Sequence, residues 1–173
     1  IIWSSCSPDF GAQGVVDRFK QIEPKVFITC DYYYYNGKKI NILDKVEKIL
    51  KQIPSIKKVI AFNYNKQERE SLKNFINFEE TLKNDLDEVF ERFEFNHPIY
   101  ILFSSGTTGK PKCITHGSGN VLIEHNKEFM LHCDIRENEK LFYYTTTGWM
   151  MWNWLVGGLA TGSSIFLFDG APV

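Results

Sequence analysis

At 173 residues, with 43% hydrophobic and 24% charged side chains, the chain has the make-up of a globular protein with a sizeable core. A net charge of −1 rules out an electrostatic case for nucleic-acid binding, and the lysines of 38–73 are interleaved with Asp and Glu as on solvated helix faces. No apolar run reaches the ~20 residues that span a bilayer, and Cys6, Cys30, Cys113 and Cys133 lack metal-like or Cys-x-x-Cys spacing, which fits a reduced cytoplasmic chain better than a disulfide scaffold.

Ile1–Ser5 reads as a short strand. Val15, Val16, Phe19 and Ile22 recur at helical spacing after Phe10-Gly11, and Pro24 stops that helix. Lys25–Cys30 is strand-like. Tyr32–Tyr35 is strand-prone and meets Asn36-Gly37, a strong tight-turn signal. Asp44 is placed to cap a helix through Ile53, with Val46, Ile49, Leu50 and Ile53 on one face. Pro54 ends it, and Lys58–Phe62 is a third strand. Strands separated by helices predict an α/β fold with mostly parallel sheets and crossover helices. Residues 63–97 are polar and acidic and read as a surface connection, with a short helix over Leu86–Phe93. Ile99–Phe103 is a strand, Gly117–Cys133 a helix, Leu141–Tyr144 a strand, Trp149–Leu159 a helix and Ser164–Phe168 a strand.

The stretch after the strand at Ile99–Phe103 carries the chemistry. Ser104-Ser105-Gly106-Thr107-Thr108-Gly109-Lys110-Pro111-Lys112 combines hydroxyl donors, two glycines and two lysines. Glycines let backbone N–H groups approach an anion, hydroxyls donate to it, and lysines add charge on flexible stems. It is not a Walker A loop: only Thr107 and Thr108 separate Gly106 from Gly109, and Pro111 follows Lys110. A plain Ser/Thr/Gly surface turn is the alternative, and such a turn has no need of two Lys and two Thr at fixed places.

This run resembles the phosphate-binding signature of the adenylate-forming enzymes, Ser/Thr-Ser-Gly-Thr-Thr-Gly-x-Pro-Lys-Gly, with Cys113 departing from the final Gly. Within that family, Trp3–Gly11, Tyr34–Lys38 and Thr145–Asn153 look like the acetoacetate-activating branch. Acetyl-activating members have small residues and a Gly-His pair after the Gly-Trp. The resemblance implies that residues 1–173 are a single partial adenylation domain, an internal piece of the large N-terminal domain. The C-terminal domain would lie outside it. It also implies ATP, Mg²⁺ and CoA as the reaction's small-molecule partners, with no nucleic acid and no membrane. Ser104, Ser105, Gly106, Thr107, Thr108, Gly109 and Lys112 would hold the ATP phosphates, and Lys110 occupies a variable position. The catalytic lysine, a Mg²⁺-binding acid and a ribose aspartate would follow downstream.

The same resemblance makes Gly148–Asn153 an acyl-pocket motif. Trp149 would wall the site, Met150 and Met151 would shape the slot, and Asn153 would bond a ketone oxygen. Adjacent helical residues point about 100° apart, which favours Met150 over Met151 as the one facing substrate. The competing reading is a buried amphipathic helix, to which Trp152 and Trp154 are assigned. Of His97, His116, His125 and His132, the last two lie seven apart without a third ligand of suitable spacing, so no metal site is assigned. His116 closes the strand after the phosphate loop and is either structural or close to ATP. Two other functions stay open: a ligase for another short or branched acid, and a non-catalytic nucleotide-binding member, at which the Cys113 departure hints.

Overall fold

Glycine, proline and asparagine positions set the frame of the first half. The computed structural model describes residues 1–64, 75–83, 86–104 and 109–170. They fall into two units, Pro8–Phe90 with Asp169–Val173, and Ile1–Ser7 with Glu91–Phe168.

In the first of these, α1 (Ala12–Ile22) buries Val15, Val16 and Phe19. It ends where Glu23 turns left-handed (φ 46°) and donates its N–H to the Phe19 carbonyl, one residue before Pro24. β1 (Val26–Cys30) leads into a hairpin of β2 (Tyr32–Tyr35) and β3 (Lys38–Asn41). Asn36 and Gly37 take φ of 47° and 70°, as the tight turn requires. α2 (Leu43–Gln52) follows and buries Val46 and Ile49. Its first turn differs from expectation: Asn41 Oδ1, not Asp44, accepts from the Leu43 N–H at 2.9 Å. Asp44 sits one residue inside the helix, where its charge favours the N-terminal dipole.

β4 (Lys58–Phe62) pairs in parallel with β1, making α2 the crossover. β5 (Ile76–Asn77) adds a third parallel strand, giving the order β1-β4-β5. The buried Asp31 closes the ends of β1 and β4, its Oδ1 accepting from the Tyr32 and Tyr64 N–H groups at 2.8 and 3.0 Å. Burial pushes the neighbouring Cys30 thiol up to about 11, which disfavours its thiolate.

The helix expected over Leu86–Phe93 does not form. Leu86, Val89, Phe90 and Phe93 have ideal i, i+3, i+4, i+7 spacing but are all exposed, Phe90 at 86%. So short a helix is marginal in water without a surface to bury its apolar face. The helix in this region is α3 (Phe78–Thr81), where Asn77 Oδ1 accepts from the Glu79 N–H.

In the other unit, β6 (Pro98–Ser104) and β7 (Lys112–Gly117) form an antiparallel ladder. Trp3 joins β6 in parallel through Trp3 N–H to the Ile99 carbonyl and Ile101 N–H to the Trp3 carbonyl, both 2.9 Å. Ile1–Ser5 thus contributes a bridge rather than a full strand. α4 (Ser118–Lys127) runs into a π-helical turn, Glu128–His132. Gly119 lies under the Phe95 ring, where a Cβ would come within 2.3 Å of it. β8 (Lys140–Leu141) pairs in parallel with β9 (Ser164–Ile165). Between them lie α5 (Met150–Gly157) and a 3₁₀ turn, Gly158–Thr161. Phe129, Leu141 and Leu155 form the core, with Ile135, Trp152, Trp154 and Ile165 packed on it. Trp152 and Trp154 therefore occupy the core side that the spacing assigned to them.

Candidate active site

The phosphate-type loop is carried by the β6–β7 ladder. Register runs from Tyr100 opposite His116 to Ser104 opposite Lys112, so those last two residues close the loop's base. Ser105, Gly106, Thr107 and Thr108 lie outside the described residues. Gly109 is exposed with open space around its Cβ position. Lys112 is exposed at the first residue of β7, whereas Lys110 precedes the strand in a bend. Lys112 thus belongs to the paired ladder, and Lys110 does not.

At the far end of the ladder the His116 and Tyr100 rings meet at 4.9 Å between centroids. Burial pulls the His116 imidazole below its ordinary value and raises the Tyr100 phenol. Of the remaining histidines, His97 stacks on Phe93 at 4.2 Å, His125 meets Phe129 edge-on at 5.8 Å, and His132 is exposed at the end of the π-helical turn. Among the described residues, no three His, Cys, Asp or Glu side chains gather as a metal site would require.

The second candidate cluster opens α5. The Trp149 N–H bonds the Thr146 carbonyl at 3.2 Å, turning the chain into the helix. Trp149 is 65% exposed and Met150 49% exposed, while Met151 and Asn153 are half-buried. Met150, one residue past the turn, has more free surface than Met151. Asn153 Nδ2 is buried and finds no hydrogen-bond partner among the described residues.

One connection was not read from the sequence. The segment Trp3–Cys6 holds both clusters. Ser4 Oγ donates to the Ile101 carbonyl of β6 at 2.8 Å. Ser5 Oγ donates to the Thr147 carbonyl at 2.6 Å, and Thr147 Oγ1 donates back to the Cys6 carbonyl at 3.1 Å. Three hydroxyls thus tie the strand feeding the phosphate loop to the turn feeding α5. No local signal in the sequence pairs Ser4-Ser5 with Thr147, since the partners lie far apart in the chain.

A β-ladder carrying a loop of phosphate-binding composition, tied through Trp3–Cys6 to an aromatic and Met-rich helix start, has the chemistry of an acid-activating, nucleotide-using class of protein. The AMP-binding enzyme family model matches residues 1–173, and the chain belongs to that family. It is 49% identical to the acetoacetyl-coenzyme A synthetase of Rhizobium meliloti and 45% identical to that of Gallus gallus, over 99% of this chain and 27% of each relative. It is 39% identical to the malonamoyl-CoA synthetase of Penicillium aethiopicum, over 99% of this chain and 25% of that protein. The structure of acetoacetyl-CoA synthetase from Streptomyces lividans superposes with a TM-score of 0.94 at 44% identity, covering 99% of this chain and 26% of that one. The chain thus spans about a quarter of the length of these relatives.

Proposed function

We propose that this chain supplies the phosphate loop and part of the acyl pocket of an acetoacetate–CoA ligase. One observation carries the site: Trp3–Cys6 bonds both β6, which leads to the loop, and Thr147, which leads to Trp149 and α5. Anchoring two half-sites on one segment is what positioning an acid against a polyphosphate requires. The choice of acid is supported by the relatives named acetoacetyl-CoA synthetase, which match nearly the whole of this chain.

The reaction has two balanced halves. The acid's carboxylate oxygen attacks the α-phosphorus of ATP, and pyrophosphate leaves with the electrons of the broken P–O bond. The CoA thiol then attacks the acyl carbon, AMP leaves, and the thiol proton passes to solvent. The first half brings an anion to a polyanion, so neutralisation and orientation dominate its barrier. Ser104, Ser105, Gly106, Thr107, Thr108, Gly109 and Lys112 have the donor chemistry for the β- and γ-phosphates. Mg²⁺, which commonly rides on substrate phosphates, would offset further negative charge there. Trp149, Met150, Met151 and Asn153 line the acyl end. Four cysteines outside any disulfide among the described residues support a cytoplasmic setting.

A second acid has support from the malonamoyl-CoA synthetase relative. Acetoacetate and malonamate share a carbonyl at C3, so both belong to one substrate class. The test is a panel of acids given to the full-length protein with ATP, Mg²⁺ and CoA, reading thioester and AMP. Acetoacetate is expected to yield acetoacetyl-CoA and AMP in equal amounts and to lead the panel. A lead for malonamate selects the second acid. ATP binding without thioester from any acid would select the non-catalytic nucleotide-binding reading instead.

A further inference from the structure

Within the described residues of the unit Ile1–Ser7 with Glu91–Phe168, two side-chain polar atoms are buried without a hydrogen-bond partner: Thr146 Oγ1 and Asn153 Nδ2. Buried polar groups are nearly always paired, so each such orphan calls for a reason. These two flank the same corner. Thr146 accepts the Trp149 N–H through its carbonyl, and Asn153 is the fourth residue of α5. Four residues of helix advance about 6 Å, which keeps Asn153 within about one turn of that corner.

The flanking threonines are committed. Thr145 Oγ1 donates to the Thr146 carbonyl at 3.3 Å, and Thr147 Oγ1 donates to the Cys6 carbonyl. Of three successive hydroxyls, the middle one alone is left with a proton to give. Asn153 has the same property on the helix. Between them in sequence stand Trp149 and Met150, both largely exposed and able to wall an apolar slot.

We propose that the Thr146 hydroxyl and the Asn153 amide both donate to the C3 carbonyl oxygen of the acid, so that the site selects 3-oxo acids. This rests on the acid-activating function above, and it adds Thr146 as a specificity-determining residue. A ketone oxygen has two lone pairs and takes two donors. A methylene at C3 takes none, and both donors then stay buried and unpaired in the complex. Sites built around such donors reject the analogue lacking the oxygen far more strongly than an apolar slot rejects a lost methylene.

The experiment uses the full-length protein and compares kcat/KM for acetoacetate with that for butyrate, which differs only in lacking the C3 oxygen. Thr146→Val keeps the side-chain shape and removes the hydroxyl. It is expected to lower the acetoacetate-to-butyrate ratio at least about tenfold, with Thr146→Ser restoring most of it and the apparent KM for ATP unmoved. Asn153→Leu is expected to lower the ratio similarly, giving a second route if either variant folds poorly. An active parent enzyme whose ratio is unmoved by both substitutions overturns this assignment alone. A parent that forms neither thioester overturns the function proposed above, and this assignment with it.

Discussion

Lys112 and Lys110 stand two residues apart and differ in what holds them. Lys112 begins β7 opposite Ser104, whereas Lys110 lies in the bend before Pro111. A charge presented from a paired strand loses less entropy on binding than one on a free bend. In the full-length protein, Lys112→Ala is therefore expected to slow acetoacetate-dependent ATP–pyrophosphate exchange far more than Lys110→Ala. A lost charged hydrogen bond to phosphate costs about 1.5–3 kcal/mol, or about 10- to 150-fold in rate. Equal effects of the two substitutions would count against Lys112 as the phosphate ligand. At this scale the sequence was legible where spacing assigned Trp152 and Trp154 to the core, and they pack there. The hydroxyl ties of Ser4, Ser5 and Thr147 were not legible. They join positions more than 90 residues apart, and no local pattern records such a pairing.

At the scale of elements, α4 and α5 meet through one histidine. His125 Nδ1 lies where a Cβ on Gly157 would come within 2.3 Å, so only glycine fits beneath the ring. Burial is the main cause that holds His125 below its ordinary value. The nearby Glu124 carboxylate pulls the other way, and His116 adds to the lowering. A histidine held below its unfolded value stays neutral in the fold while the unfolded chain takes up a proton. Its contribution is full above pH of about 6.5 and is lost as pH falls toward the folded value. Melting of the full-length protein is expected to fall between about pH 7.5 and 5.5, and His125→Gln should remove part of that slope. A variant with the parent's slope would show that His125 is not the group responsible.

Other elements show why some boundaries can be read and others not. Asn36-Gly37 was legible because two successive positive φ angles tolerate few residues. Leu86–Phe93 misled because helical spacing states which face would be buried, not whether anything covers it. β5 is two residues long, too short for an alternating pattern to register. Asp44 fell inside α2 rather than at its cap, and the bond at the helix start runs from the Leu43 N–H to Asn41 Oδ1, because only the backbone path decides which polar side chain meets the first turn.

For the whole molecule, the α/β expectation holds in the parallel β1-β4-β5 sheet with its α2 crossover. The proposed site lies in the other unit, where an antiparallel ladder leads to the proposed phosphate loop and α5 holds the proposed acyl-pocket residues. The chain spans about a quarter of the length of its relatives. The most direct test of the central claim is ATP–pyrophosphate exchange by the full-length protein, measured without CoA. That reaction reads the first half alone, the step assigned to the phosphate loop and the Trp149–Asn153 corner. Exchange is expected to depend on acetoacetate, and to run at least about tenfold faster with it than with butyrate. Exchange that is absent with acetoacetate while ATP still binds would contradict the account.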